Sequence, residues 1–238
     1  MARAHGKDTR LYVNATDLSG YASAATPSIG ADVHDSTNFG SSGWHESDGG
    51  LKMAAIGVET FHDPEAAAED PILAALVGTD AAVVTAIFDG GDAIGDWGWL
   101  IGAASLENYE TTANVADLLK KRGQFRGSGS GGRCVLLHVL GAETASVNSN
   151  SHDGAASSAN GARGNLHVTS EVGGGTWTVK VQHSADDAVW ADLITFTNVT
   201  AAGAESVAVT GTVNRYLRCS LTKSGGTSIT FALAVARL

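Results

Sequence analysis

Between Gly164 and Leu238 apolar and polar side chains alternate with a period of two, and no other pattern in the chain restricts the fold as strongly. Trp177, Val179 and Val181 alternate with Thr178, Lys180 and Gln182; Leu217, Cys219 and Leu221 alternate with Arg218 and Ser220; Ile229, Phe231, Leu233 and Val235 close the series. Successive side chains on a strand point to opposite faces, so each set turns one face to a core. Leu166 and Val168, Leu193 to Thr197, and Val207 and Val209 add three further runs, with Gly173-Gly-Gly175 and Gly225-Gly226 as turns. Six strands at such intervals predict an antiparallel β-sandwich over residues 164–238.

The earlier part of the chain is also β-rich. Ala81 to Phe88, Trp97 to Leu106 and Arg133 to Leu140 read as strands, the first two separated by the turn-forming Asp89-Gly-Gly-Asp92. Asp63-Pro64 and Asp70-Pro71 each set an N-cap before a proline at the first helical position, and Ile72, Leu73 and Leu76 give one apolar face before Gly78. A short helix follows from this. A second helix is expected from Thr112 to Arg122, because Lys120, Lys121 and Arg122 lie where a helix C-terminus favours cations and Gly123 follows as a stop. Leu11 to Tyr21 and Gly49 to Asp63 are strand-like, and a long polar loop joins them. Gly141 to Arg163 has almost no apolar bulk and reads as a surface linker. The division expected is 1–142, a linker at 143–163, and 164–238; 238 residues suffice to bury a core without staples.

Charge is distributed unevenly. Up to Ala142 there are 18 acidic and 9 basic residues, and from Glu143 onward 7 acidic and 6 basic. From Ala31 to Asp96 thirteen carboxylates face a single cation, Lys52. A DNA-binding surface needs clustered Lys and Arg to neutralise phosphates, so direct nucleic-acid binding is not expected. The apolar runs Ile72 to Val77 and Ala81 to Phe88 fall short of the roughly 20 residues that span a bilayer, and Met1 to Arg10 holds no signal-peptide core. A soluble protein without a membrane partner is expected. Cys134 and Cys219 lie in apolar surroundings and are expected as free thiols. Asn14-Ala-Thr16 and Asn198-Val-Thr200 match the glycosylation pattern, by coincidence where no export signal precedes them.

Catalytic constellations do not assemble in the sequence. His34, His45, His62, Asp32, Asp35, Glu46 and Asp63 are metal-ligand types, but their spacing fits no ligand motif such as His-Glu-x-x-His. Gly127-Ser-Gly-Ser-Gly-Gly132 lacks the Gly-Lys-Ser/Thr ending of a phosphate cradle, and Gly129 stands where a nucleophile elbow needs serine. No enzyme, metal or cofactor is expected. Trp97, Trp99, Trp177 and Trp190 fit core positions by pattern; Trp44, alone in the polar loop, is the exception.

Two stretches carry a family resemblance. Leu11-Tyr-Val-Asn-Ala-Thr-Asp-Leu-Ser-Gly-Tyr21, the loop with Asp32, Asp35, Thr37-Asn-Phe-Gly40 and Trp44, and Gly49-Gly-Leu51 leading into a long strand resemble the tail-tube proteins of long-tailed bacteriophages. Lys180-Val-Gln-His-Ser-Ala-Asp186, with Trp190, Leu193, Phe196 and Asn214-Arg-Tyr-Leu-Arg218, resembles a β-sandwich module fused to phage virion proteins. The resemblance implies a mainly β fold: a small β-barrel or sandwich with one or two short helices, then a second sandwich that decorates the tube. It implies homo-oligomeric, hexameric rings stacked into a tail tube, with other tail proteins as partners and double-stranded DNA passing without specific binding. The subunit would be assembled in the host cytoplasm and reside in the virion tail. The loop from Ser28 to Gly50 would contact the next ring through Asp32, Asp35, Phe39 and Trp44. Asp89, Asp92, Asp96, Glu107 and Glu110 would face the lumen, where an acidic wall repels a sliding polyanion. A weak glycan contact by the second module, a carbohydrate-binding adhesin and a capsid decoration protein stay open as alternatives.

Overall fold

A computed structural model describes residues 6–63, 65 and 69–238. After a 3-10 turn at Gly6–Asp8 come β1 (Arg10–Val13), β2 (Thr16–Asp17), β3 (Ala22–Asp35), β4 (Ser47–Phe61), the helix α1 (Glu69–Ala74), β5 (Ala82–Ile87), β6 (Trp97–Thr112), β7 (Lys120–Gly127) and β8 (Gly132–Glu143). Then follow β9 (Val147–Asn148), β10 (His152–Asp153), β11 (Ala162–Val172), β12 (Thr176–Ser184), β13 (Ala191–Thr195), β14 (Gly203–Val209), β15 (Tyr216–Ser224) and β16 (Ser228–Arg237). All six alternating runs of residues 164–238 are strands.

A large antiparallel sheet runs in the order β14-β11-β16-β8-β6-β5-β1-β2, and a smaller one in the order β10-β15-β12-β13 with β9 beside β15. The two sheets sandwich one core, in which Trp177, Val179, Val181 and Leu217 meet Leu166, Phe231, Leu233 and Leu137. The alternation in the sequence marks this interface. β8 is shared: its residues Cys134 to Glu143 pair with β16, and Gly132 to Val135 pair with β6, so the large sheet crosses residues 143–163 without a break. The 143–163 stretch itself contributes β9 and β10 to the edge of the small sheet.

The large sheet bends back on itself. Its β16 face carries Ala232, Ala234 and Ala236 against Tyr12, Ile87 and Leu100 from strands several places away in the sheet order. Small side chains let the layers approach, and Gly102 on β6 lies where an added Cβ would meet Ser206 Oγ at 2.0 Å. A polar knot joins the layers. Asn165 Nδ2 donates to Val84 O, Ile101 O and Thr85 Oγ1 at 3.1, 3.0 and 3.2 Å, and Asn165 Oδ1 accepts from Ser206 Oγ at 2.7 Å. His167 Nδ1 donates to Asn14 O and its Nε2 faces Thr85 Oγ1, both at 2.8 Å. A carbonyl only accepts, so Nδ1 carries the proton and Nε2 accepts from Thr85. The far ends of the bent sheet do not pair, and the described residues form no closed barrel, which leaves the sandwich of the two forms that the resemblance implies.

On the outer side, Leu11, Val13, Ile56, Val84, Ile101, Leu106 and Phe125 form a further core covered by Leu73 of α1. The helix expected at Asp70-Pro71 is present, and Gly78 beyond it has φ 75. Pro64, where the other helix start was expected, lies outside the described residues.

Two expectations are overturned. The chain from Thr112 to Arg122 is not a helix: β6 runs to Thr112, a turn follows, and β7 inserts between β4 and β6. Lys120 and Arg122 serve ion pairs with Glu59 across to β4, and Lys121 pairs with Asp70 of α1, so the three cations do not end a helix. Gly123 is a close-packing residue, since a Cβ there would meet Leu106 Cδ1 at 2.7 Å. The long polar loop from Ser28 to Gly50 is mostly a hairpin, paired from Ala22↔Thr60 to Asp35↔Ser47. Its outer half buries neither face, so the sequence has no apolar alternation to display.

Candidate functional site

The β3-β4 hairpin is the outstanding surface feature. Beyond Ala55 towards the tip it has no third strand, and Ser28 to Asp35 are exposed on both faces. Eight residues of extended strand carry this arm about 25 Å from the body. Main-chain hydrogen bonds, not burial, hold it together. The tip is itself ordered by polar contacts: Thr37 N donates to Asp35 Oδ1 at 2.9 Å, Glu46 N to Thr37 Oγ1 at 3.0 Å and Gly40 N to Asn38 Oδ1 at 2.8 Å. Hydrogen bonds from Thr37 hold the Asp35 carboxyl below the usual carboxylate range. Ser42 and Gly43 turn the chain with φ 46 and 85.

Those contacts display Phe39 and Trp44 to solvent, at relative exposures of 113% and 81%. Val33 at 70% and Leu51 at 82% continue the apolar surface down the arm. Asp32, Asp35, Glu46 and Asp48 surround it with negative charge. All four inter-ring candidates thus lie on one arm, two as its aromatic end and two as flanking acids. Trp44 is exposed as its isolation in sequence suggested, but only Trp177 among the other tryptophans is fully buried. Trp190 lies under Arg218 and Trp97 under Arg133, at 4.2 and 5.1 Å from guanidinium to ring.

At the base of the arm is a cleft of about 490 Å³ between Ile29, Lys52, Met53 and Ala54 on one side and Gly129 to Arg133, Arg237 and Leu238 on the other. Arg163 reaches Ser130 Oγ from behind at 3.4 Å and Ser206 Oγ at 2.9 Å. Arg237 donates to the carbonyls of Val213, Asn214 and Arg215 at 2.9, 2.6 and 2.9 Å. Partial burial lowers the pKa of both guanidiniums from the ordinary arginine value. The loop dismissed as a phosphate cradle forms one wall. Sequence reasoning missed this cleft, because its cations come from β4, β8 and β16 and form no cluster along the chain.

The five lumen candidates fall into two groups at opposite ends of β6. Asp89 and Asp92 are exposed in the β5-β6 turn, whereas Asp96 is buried there and accepts from the amides of Asp92 and Ala93 at 3.0 Å. Glu107 pairs with Arg126 at 2.6 Å, and Glu110 sits opposite Arg122. Folding also returns Lys120, Lys121 and Arg122 to the acidic region, where Glu59 lies 2.7 Å from Arg122 and Asp70 lies 2.9 Å from Lys121.

Among the described residues no three His, Cys, Asp or Glu side chains converge to hold a metal. His45 lies 3.8 Å from Asp35 at the tip, while His62 sits near the buried Glu69 at the other end of β4. Cys134 and Cys219 are buried free thiols whose pKa burial raises. No described helix is long and apolar enough to cross a membrane.

No protein-family model and no curated protein matches the chain. Among solved structures, it is similar to a chain in the virion of a native gene transfer agent particle, at 16% identity and TM-score 0.40 over 54% of this chain and 97% of the other. It is also similar to a chain in the tail of an empty such particle with C6 symmetry, at 17% identity and TM-score 0.37 over 54% and 97%. A third similarity is to the Dit protein of phage SPP1, described as a hub adsorption apparatus, at 12% identity and TM-score 0.34 over 95% and 98%. Overlaps this loose define no common function.

Proposed function

We propose that this chain is a structural virion subunit that assembles into stacked hexameric rings, forming a tail tube through which DNA passes. The observation that carries the reading is the projecting arm, whose end presents Phe39 and Trp44 to solvent with no covering element among the described residues. An exposed aromatic pair on a rigid support is the composition of an interface centre. Ring contact through open strand edges is the second support. β3 offers its outer edge from Ala22 to Asp35, and β14 is unpaired beyond β11. Such edges invite pairing with another chain, and ring closure would remove them.

In this reading residues 1–142 build the tube, residues 164–238 decorate it across 143–163, and Asp32, Asp35, Phe39 and Trp44 meet the next ring. Asp89, Asp92 and Glu110 are the lumen candidates left with exposed carboxylates; Asp96 is turned inward and Glu107 is neutralised. A glycan contact by the second part has less support. The depression beside Thr197 to Thr200 and Glu205 has a volume of about 210 Å³ and no aromatic side chain on which a sugar would stack.

Electron microscopy of the purified full chain tests the assembly. Wild-type protein is expected to form hollow tubes, and deletion of Thr37 to Trp44 to leave folded subunits that no longer polymerise. Lone globules of wild type at high concentration would sink the reading; a deletion variant forming normal tubes would remove the arm from it.

A further inference from the structure

We propose that the cleft at the base of the arm receives the arm tip of a second copy of this chain, with the lining cations Lys52, Arg133 and Arg237 meeting the tip carboxylates. The inference rests on the self-assembly reading and names the surface that meets the arm.

Charge is the first argument. This chain has 25 acidic residues against 15 basic ones, yet the cleft lining includes no carboxylate side chain. None of the three lining cations has an ion pair among the described residues, whereas Lys120, Lys121, Arg122 and Arg126 all do. Arg237 is met by carbonyls and by the Ser158 hydroxyl, so this partly buried guanidinium has no carboxylate side chain as partner among the described residues. Withdrawing a charge from water without an opposite one is unfavourable, and an incoming carboxylate relieves it.

The arm tip has the complementary composition. Asp32, Asp35, Glu46 and Asp48 supply the negative charge, and Phe39 and Trp44 match the apolar floor of Ile29, Met53 and Ala54. The cleft volume of about 490 Å³ suits an aromatic anchor with its flanking side chains. The tip cannot occupy its own cleft, because the continuous ladder between β3 and β4 holds it about 25 Å away. The occupant therefore comes from another copy. A tip-to-base contact uses two different patches, so it is heterologous and repeats from copy to copy, lengthening an assembly along one axis where its rotation does not close a ring.

The test is a charge exchange in the full chain. Lys52→Glu with Arg133→Glu, both at exposed positions, is expected to cut the sedimentable polymer about tenfold or more by setting like charges face to face. Asp35→Lys with Asp48→Lys is expected to do the same from the tip, and one chain carrying all four changes to recover polymer. Circular dichroism of each variant checks that the subunit is folded. Wild-type tubes with a Lys52→Glu, Arg133→Glu variant that polymerises normally would overturn the inference and leave the tube reading standing. Wild-type globules would overturn both. If that variant polymerises normally but loses binding of inorganic phosphate shown by wild type in calorimetry, the cleft is a small-anion site and the proposal is wrong. Loss in both pairs without recovery in the four-change chain also counts against it.

Discussion

His167 is a neutral imidazole locked between three strands, with Nδ1–H committed to Asn14 O and Nε2 to Thr85. Burial pushes its pKa from 6.5 down to about 4. Between these values the unfolded chain takes up a proton that the folded chain refuses. Stability is therefore full above the unfolded value and falls as pH drops towards the folded one, by about 3 kcal/mol if the whole shift is realised. Urea unfolding at a series of pH values between those limits should show the decline. His152 and His183 are shifted in the same direction, so the assignment needs His167→Gln, which should flatten most of the slope whatever it does to absolute stability. An unchanged slope in that variant would remove His167 from the account. Leu166 and Val168 are legible as a core row of β11, but the burial of Asn165 and His167 on its other face is not, because a period-two pattern cannot reveal a second covered face held by hydrogen bonds and by alanines such as Ala234.

At the level of elements, legibility followed burial on one face. β12, β15 and β16 were plain in the sequence because each has an apolar row against the sandwich core. β3 and the outer part of β4 were not, because an arm exposed on both faces has nothing to alternate, and β7 was mistaken for a helix because cations before a glycine serve ion pairs as well as helix ends. Trp44 was legible by its isolation among polar neighbours and Phe39 through the Thr37-Asn-Phe-Gly40 resemblance, whereas the basal cleft needed the fold. The shared strand β8 has a thermodynamic consequence. With β6 on one side and β16 on the other, the 1–142 and 164–238 parts hold one sheet and one layer of core between them. Scanning calorimetry of the full chain should show a single transition whose van't Hoff and calorimetric enthalpies agree. A fragment of 164–238 should show none, since it lacks the β8 partner of β16 and the Leu137 contribution to the sandwich core. Two separate transitions would mean that the parts fold independently.

For the whole molecule, electrostatics must satisfy two demands that pull apart: copies of an acidic chain have to associate, and a polyanion has to slide past them. The net charge of −10 opposes both association and DNA binding, and the arrangement of charge separates the two. Cations on β7 are spent on Glu59, Asp70 and Glu107, while Lys52, Arg133 and Arg237 line the basal cleft. If that cleft is filled by a neighbour's arm in the assembled tube, its cations are withdrawn from phosphates, and the exposed acids at Asp89 and Asp92 repel them. Tubes should therefore leave the fluorescence anisotropy of a labelled DNA duplex unchanged even at about 50 mM salt, where phosphate contacts are strongest. The isolated tip-deletion variant has its clefts open and is expected to bind DNA weakly, with binding that weakens as salt rises and is lost on Lys52→Glu with Arg133→Glu. Binding by intact tubes, with affinity falling steeply as salt is raised, would mean that basic surface remains available after assembly. The conduit reading would then lose the property that makes a sliding polyanion possible.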